Sequence, residues 1–273
     1  MNSMDKQFLA EGRVSDVYVL KDKRVLKLLH KTVPVEKVED EYRRCKIVSA
    51  AGVLSPHALD LVEVDGRHGI IFEWAGENDL MTAKLGNPLN VRWGGRFMAT
   101  VHLELLKHEA EKLPDIREEA LRMAHTLPEG IIRSHQYPIL ERYLDQLPDG
   151  NNICHMDFHP GNIILSSNGY QIIDWAEAVK GAPEADLAMT SLILSMAETA
   201  PGTSLFLRII IPIFRKAFER NYRAHLMATQ PGITEENIEK WMLAAAIFRM
   251  SMWSLASEQA FLTTMIQQKL QEF

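Results

Sequence analysis

The stretch His155-Met156-Asp157-Phe158-His159-Pro160-Gly161-Asn162, followed by Ile173-Asp174-Trp175, decides the reading of this chain. Between them lie an apolar run from Ile163, the pair Asn168-Gly169, and a second apolar run, Tyr170 to Ile173. That order predicts a β-hairpin. With Asn168-Gly169 as a two-residue turn, Ser167 pairs with Tyr170, Ile163 lies opposite Asp174, and Asn162 sits beside that pair. Cross-strand neighbours lie about 5 Å apart, so Asn162 and Asp174 can share one metal ion. Asp157 comes a short loop earlier and can face whatever that metal holds. His155, Asp157 and His159 also alternate, which suggests a zinc hydrolase with Asp174 as fourth ligand. Against this, Pro160-Gly161 forces a turn, and a loop lets His155 prop the backbone from within.

One carboxylate to take a hydroxyl proton, with an amide and a second carboxylate for Mg²⁺, is the set that phosphoryl transfer needs. A cation for the phosphates is expected elsewhere, and Lys27 is the candidate, inside the apolar strand Val25-Leu26-Lys27-Leu28-Leu29. It reads either as an exposed lysine on an edge strand or as a phosphate-pairing lysine held by a carboxylate. Glu41 is the candidate carboxylate. It falls between Val38 and Cys45 on the apolar face of a helix, where it needs a positive partner unless it lies at the solvated edge. Glu39 is a less well placed rival. Backbone amides near Gly12 and Ser15 can cover phosphates, or belong to an ordinary turn. Asp186 either caps a helix or braces the catalytic loop.

The chain has 273 residues, 47% hydrophobic and 24% charged, enough for one large domain or two lobes. A net charge of −6, with no basic stripe, argues against nucleic acid as a partner. Cys45 and Cys154 give neither metal spacing nor a disulfide framework. Met1-Asn2-Ser3-Met4-Asp5-Lys6 carries no signal-peptide pattern, and the most apolar run, Leu205 to Phe214, is too short to span a bilayer. A soluble cytoplasmic protein is the expectation.

Strands are expected over Val14 to Leu20, Arg24 to Leu29, Leu59 to Val64 and His68 to Trp74, with one helix capped by Thr32 and ended by Gly52. Ala75-Gly76-Glu77-Asn78 is the expected lobe boundary, giving lobes 1–76 and 77–273. Beyond it, helices are expected over Asp79 to Leu85, Val91 to His108, Asp115 to Thr126, Gln136 to Leu147 and Asp186 to Ala197. Two longer ones follow, Ser204 to Met227 and Thr234 to Leu270. The fold class is α+β and bilobal, a small β-rich lobe followed by a larger helical one.

The pattern His155-x-Asp157-x-x-x-x-Asn162 with Ile173-Asp174-Trp175 resembles the aminoglycoside phosphotransferase and choline-kinase-like superfamily, with its protein-kinase-like fold. Protein kinases carry Arg and Phe-Gly where this chain has Met156 and Trp175-Ala176. The resemblance covers Gly12 to Leu29, Glu41 to Pro56, Gly69 to Gly76, Ala99 to Leu103 with His102, and Pro183 to Ala188; segments from about Ser204 onward lie outside it. It implies Asp157 as catalytic base, Asn162 and Asp174 as Mg²⁺ ligands, and Lys27 on the α- and β-phosphates with Glu41 pairing to it. It further implies Phe72, Glu73, Trp74 and Ala75 as a hinge facing the purine, and Gly12 and Ser15 over the phosphates. The implied reaction is Mg-dependent transfer of a γ-phosphoryl group from ATP or GTP to a hydroxyl of a small molecule, an aminoglycoside, amino alcohol or metabolite. Glu177 and Glu184 favour a cationic acceptor. A catalytically silent nucleotide-binding regulator and a protein-serine kinase are the alternatives. The short interval from Asp174 to Pro183 leaves no obvious activation segment for the latter.

Overall fold

A computed structural model describes residues 6–85, 87–167, 169–196, 205–252 and 256–273. The chain divides into two compact units, one of Met1–Ala83 with Gly161–Glu177, the other of Lys84–Pro160 with Ala178–Phe273. The β-rich sheet falls in the first and the long helices in the second, a mixed α+β architecture.

In the first unit, β1 (Lys6–Glu11), β2 (Ser15–Leu20), β3 (Val25–Leu29), β4 (Ala58–Val64) and β5 (Arg67–Phe72) form an antiparallel sheet in the order β1-β2-β3-β5-β4. Lys27 therefore stands on the central strand, paired with Val17 and Ile70, and the edge-strand reading of this lysine fails. Period-2 alternation turns Leu26 and Leu28 into a cluster with Leu20 and Ile71, and turns Lys27 to the other face. Helix α1 (Val35–Ala50) begins after Pro34, whose fixed φ suits a helix start, so Pro34 rather than Thr32 is the N-cap residue. Its buried stripe includes Val38, Glu41, Cys45 and Val48.

The predicted helix from Asp79 is replaced by a short strand, β6 (Asn78–Asp79), and a π-helical turn, Met81–Leu85. The Asp79 carboxylate takes the Thr82 amide and hydroxyl, which ends the strand locally. After β7 (Asn152–Cys154), strand β6 pairs with β8 (Ile163–Ser166), and β8 pairs with β9 (Gly169–Ile172). The hairpin exists in a different register. Ser166 faces Gly169 and Ile163 faces Ile172, two positions from the expected pairing, while Asn168 lies outside the described residues. Gly169, at φ +124°, opens the return strand.

In the second unit, α2 (Val91–Leu105), α3 (Ile116–Ala124) and α4 (Tyr137–Gln146) precede β7, which pairs with β10 (Val179–Gly181). Asp115 caps α3 through the Arg117 amide. Helix α5 (Pro183–Met196) starts with proline, so Asp186 lies inside the first turn and not at its cap. Then come α6 (Leu205–Thr229), α7 (Glu235–Glu239), α8 (Met242–Met252) and α9 (Ala256–Gln271); the predicted helix from Thr234 to Leu270 is interrupted between α7 and α8, and residues 253–255 lie outside the described residues. Among the described residues no helix is long and apolar enough to cross a membrane.

Candidate active site

In the first unit, the Lys27 ammonium lies 2.6 Å from Glu41 Oε1 and 2.8 Å from Asp174 Oδ1. Glu41 is buried, so the solvated reading of this residue fails; the Asp174 side chain keeps 41% exposure. Burial opposes the charge on Lys27, but the Asp174 and Glu41 carboxylates outweigh it and push the lysine above its ordinary value. Burial pushes the Glu41 carboxyl up, against the pull of Lys27. The ammonium thus stays charged and is held between two carboxylates of unequal accessibility.

Asp174 follows β9 with φ +68°, a left-handed conformation uncommon outside glycine. Two contacts fix the backbone around it. The Ile173 amide donates to the Asn162 carbonyl at 3.0 Å, so Asn162 lies across from Ile173, with Asp174 next in line. The buried Trp175 indole donates to Ser55 Oγ at 2.9 Å and to the Ile172 carbonyl at 3.1 Å. Asn162, itself buried, ends the 3₁₀ turn Pro160–Asn162 that leads into β8. The corrected register thus still leaves Asn162 and Asp174 as near neighbours. An amide oxygen and a carboxylate, each on a backbone fixed by hydrogen bonds, are hard donors suited to Mg²⁺.

The Gly12 amide donates to the Ser15 carbonyl at 2.7 Å, so it closes its own turn, and Ser15 is buried. Past the end of β5, the Glu73 amide donates to the His57 carbonyl, and its carboxylate meets His57 Nδ1 at 2.6 Å. That hydrogen bond holds the Glu73 carboxyl below its usual range. Phe72 pairs with Val25 and Ala58, and Trp74 and Ala75 follow outside any strand.

In the second unit, Asp157 is 8% exposed, with His159 Nε2 at 3.7 Å from its Oδ2. Its amide donates to His155 Nδ1 at 3.2 Å. Asp186 Oδ2 accepts from the His155 amide and Oδ1 from the Met156 amide, each at 2.8 Å. Burial alone would raise the Asp186 carboxyl, but the hydrogen bond from His102 and the His155 amide hold it below the ordinary carboxylate range. Met156 has φ +62°, so the loop carries a left-handed residue whose amide is fixed by a carboxylate. His102 donates to this carboxylate as well, at 3.0 Å.

No group of three or more His, Cys, Asp or Glu residues is placed to hold a metal ion among the described residues. That removes the support for a zinc hydrolase, since His155 faces the Asp157 amide instead. Both cysteines are buried and free, and burial pushes both thiols up. Glu184 lines a separate cleft of about 470 Å³ with Glu104, Lys107 and Gln230. Asp157 is not part of that lining.

A model of the phosphotransferase enzyme family matches residues 6–226, most of the chain. The chain belongs to the phosphotransferase enzyme family. The match runs into α6, beyond the sequence resemblance. A sequence comparison with curated proteins found no match. Among solved structures, a thermostable mutant of aminoglycoside phosphotransferase APH(4)-Ia, in ternary complex with AMP-PNP and hygromycin B, is similar with a TM-score of 0.63 and 16% identity. The alignment covers 100% of this chain and 94% of that one. The aminoglycoside phosphotransferase APH(3'')-Id from Streptomyces rimosus follows at 0.54 and 19%, with coverage of 90% and 93%. An amicoumacin kinase in complex with AMP-PNP and Ca²⁺ follows at 0.55 and 15%, with coverage of 98% and 88%. At these identities the likeness is one of fold. The family match makes the chain a phosphotransferase.

Proposed function

We propose that this phosphotransferase moves the γ-phosphoryl group of ATP or GTP to a hydroxyl of a small molecule. The observation that carries this reading is the Lys27 ammonium, held between buried Glu41 and accessible Asp174. A fixed cation beside an accessible carboxylate suits a phosphate chain and its metal. Lys27 binds phosphate oxygens, and Glu41 keeps its ammonium charged and aimed. Asn162 and Asp174 would hold Mg²⁺, which, when bound, neutralises charge on the phosphates. Asp157 orients the acceptor hydroxyl and takes its proton at a carboxylate oxygen as the new O–P bond forms and the bond from the γ-phosphorus to its bridging oxygen breaks, releasing ADP or GDP. His155 and Asp186 hold the backbone around Asp157, and residues 72–75 receive the purine. Gly12 and Ser15 shape the turn over the phosphates, which the Gly12 amide closes.

The fold shared with aminoglycoside phosphotransferases and an amicoumacin kinase supports a small-molecule acceptor. The test is ADP release with Mg-ATP and Mg-GTP over a panel of aminoglycosides, amino alcohols and sugars. Stimulation by one compound class, lost in Asp157→Ala, is the expected result. Tight nucleotide binding with no stimulation across the panel would favour a silent regulator. For a cationic acceptor, Glu177→Gln should raise its KM, and Glu184→Gln should matter only if the acceptor reaches the separate cleft.

A further inference from the structure

Helix α6 contributes more than packing to the second unit. Its buried stripe Phe218, Tyr222 and Leu226 faces α2. Gly94 and Gly95 interrupt α2 at that contact. A Cβ on Gly95 would fall 2.6 Å from the Phe218 carbonyl and 3.1 Å from the Tyr222 amide, so the close approach requires glycine. Two turns further along the same face of α2 stands His102, with no exposure. Its Nδ1 lies 2.6 Å from the Tyr222 hydroxyl, and its Nε2 lies 3.0 Å from Asp186 Oδ2. Tyr222 and Asp186 are also fully buried.

The chemistry of the three groups fixes where the protons are. Asp186 accepts two backbone amides, as an ionised carboxylate does. The His102 nitrogen facing it must therefore carry hydrogen. In the neutral ring the other nitrogen is then an acceptor, and the Tyr222 O–H donates to it. Burial pushes the Tyr222 phenol well up, which keeps it protonated for this purpose. The Thr190 hydroxyl, one turn after Asp186 on α5, lies beside the same phenol. Without the phenol, His102 Nδ1 is left as a buried acceptor and the ring loses one of its two anchors. A ring that turns in its pocket weakens the Nε2–H bond to Asp186, and the anchor of the His155 and Met156 amides loosens with it.

We propose that Tyr222 is a positioning residue for phosphotransfer, its hydroxyl holding the His102 ring in place and, through Asp186, the loop backbone that carries Asp157. The assignment rests on the phosphotransfer reading above only for its effect on turnover. It gives α6 a part in the reaction without contact with the reacting atoms.

The test compares the full chain with Tyr222→Phe and with Leu226→Ala, which trims a buried apolar neighbour on the same helix. Ring-nitrogen NMR reports the His102 tautomer, with the signal assigned by its loss in His102→Gln. Amide shifts report His155 and Met156, and Mg-ATP hydrolysis, with water as acceptor, reports turnover. In the wild type, His102 is expected as the Nε2–H form alone. Tyr222→Phe is expected to move the His102 Nδ1 signal, shift both amides, and lower kcat about tenfold with the KM for ATP within about twofold. Leu226→Ala is expected to lower Tm while leaving the ring signals and kcat alone. Wild-type ring and amide signals in Tyr222→Phe would overturn the proposal, as would an equal fall of kcat in Leu226→Ala. If the wild-type protein hydrolyses no ATP, the phosphotransfer reading falls, and the ring and amide signals still decide the role of Tyr222.

Discussion

Two polar clusters, one in each unit, are built in different ways. Around Lys27 three charged groups meet, with one member, Asp174, left 41% exposed. Around His102 the polar groups have no exposure at all, and their bonds end on backbone amides. The first suits a place where a charged ligand must enter and exchange partners with the protein. The second suits a backbone held in an unfavourable conformation, since a dry hydrogen-bonded network has few alternatives. In the proposed function, accessibility marks the cluster that binds, and burial marks the cluster that positions.

The sharpest way to break this contrast is to remove one charge from the first cluster. Lys27→Ala leaves Glu41 buried without its cation and should cost about 3–5 kcal/mol of stability, measured by denaturant unfolding, along with nucleotide binding. The same truncation at Asp174 should cost far less, because water can reach the site it leaves. Next in size is Gly95→Ala, which forces α6 away from α2. It should destabilise by about 1–3 kcal/mol and broaden the His102 ring signals. A loss confined to Tm would separate helix packing from the polar network.

Titration gives a smaller effect with a definite sign. The folded value of Lys27 lies above its ordinary value of 10.5. Its contribution is fully present below that ordinary value and is lost only as pH rises through the folded one. Nucleotide affinity should therefore stay flat between about pH 7.5 and 9.5, where an ordinary lysine would begin to titrate. A decline across that window would mean that the Lys27 charge is not held by its two carboxylates. Asp186 runs the other way, its folded value lying below 3.8, so its contribution is present above 3.8 and lost as pH falls below it. The smallest effect belongs to the exposed Lys107–Glu104 pair on the surface. Lys107→Ala should leave Tm and turnover unchanged, because such pairs gain little in water.

Much of the first cluster was legible in sequence. A lysine inside an apolar strand and a glutamate inside an apolar helical stripe each require a partner, and each is a partner for the other. The hairpin was legible as an element but not in register. An Asn-Gly pair signals a turn, yet whether glycine ends the turn or opens the strand depends on strand packing outside the pair. The neighbourhood of Asn162 and Asp174 survived the error because both residues lie beyond the paired strands. Asp186 could not be resolved from its sequence, since a carboxylate near a proline-led helix start reads equally as a cap. Tyr222 was missed because it sits at helical spacing between Phe218 and Leu226, where a tyrosine looks like core. The available signal was indirect: paired glycines in the middle of α2, two turns before a histidine on the same face.

The central claim is that nucleotide binding and phosphoryl transfer rest on different residues, so it is tested by measuring both in Asp157→Ala. Mg-nucleotide affinity should stay within about threefold of wild type while transfer to the acceptor falls by about 10²–10⁴. Transfer retained at the wild-type rate, or affinity and transfer lost together in a folded protein, would contradict the account.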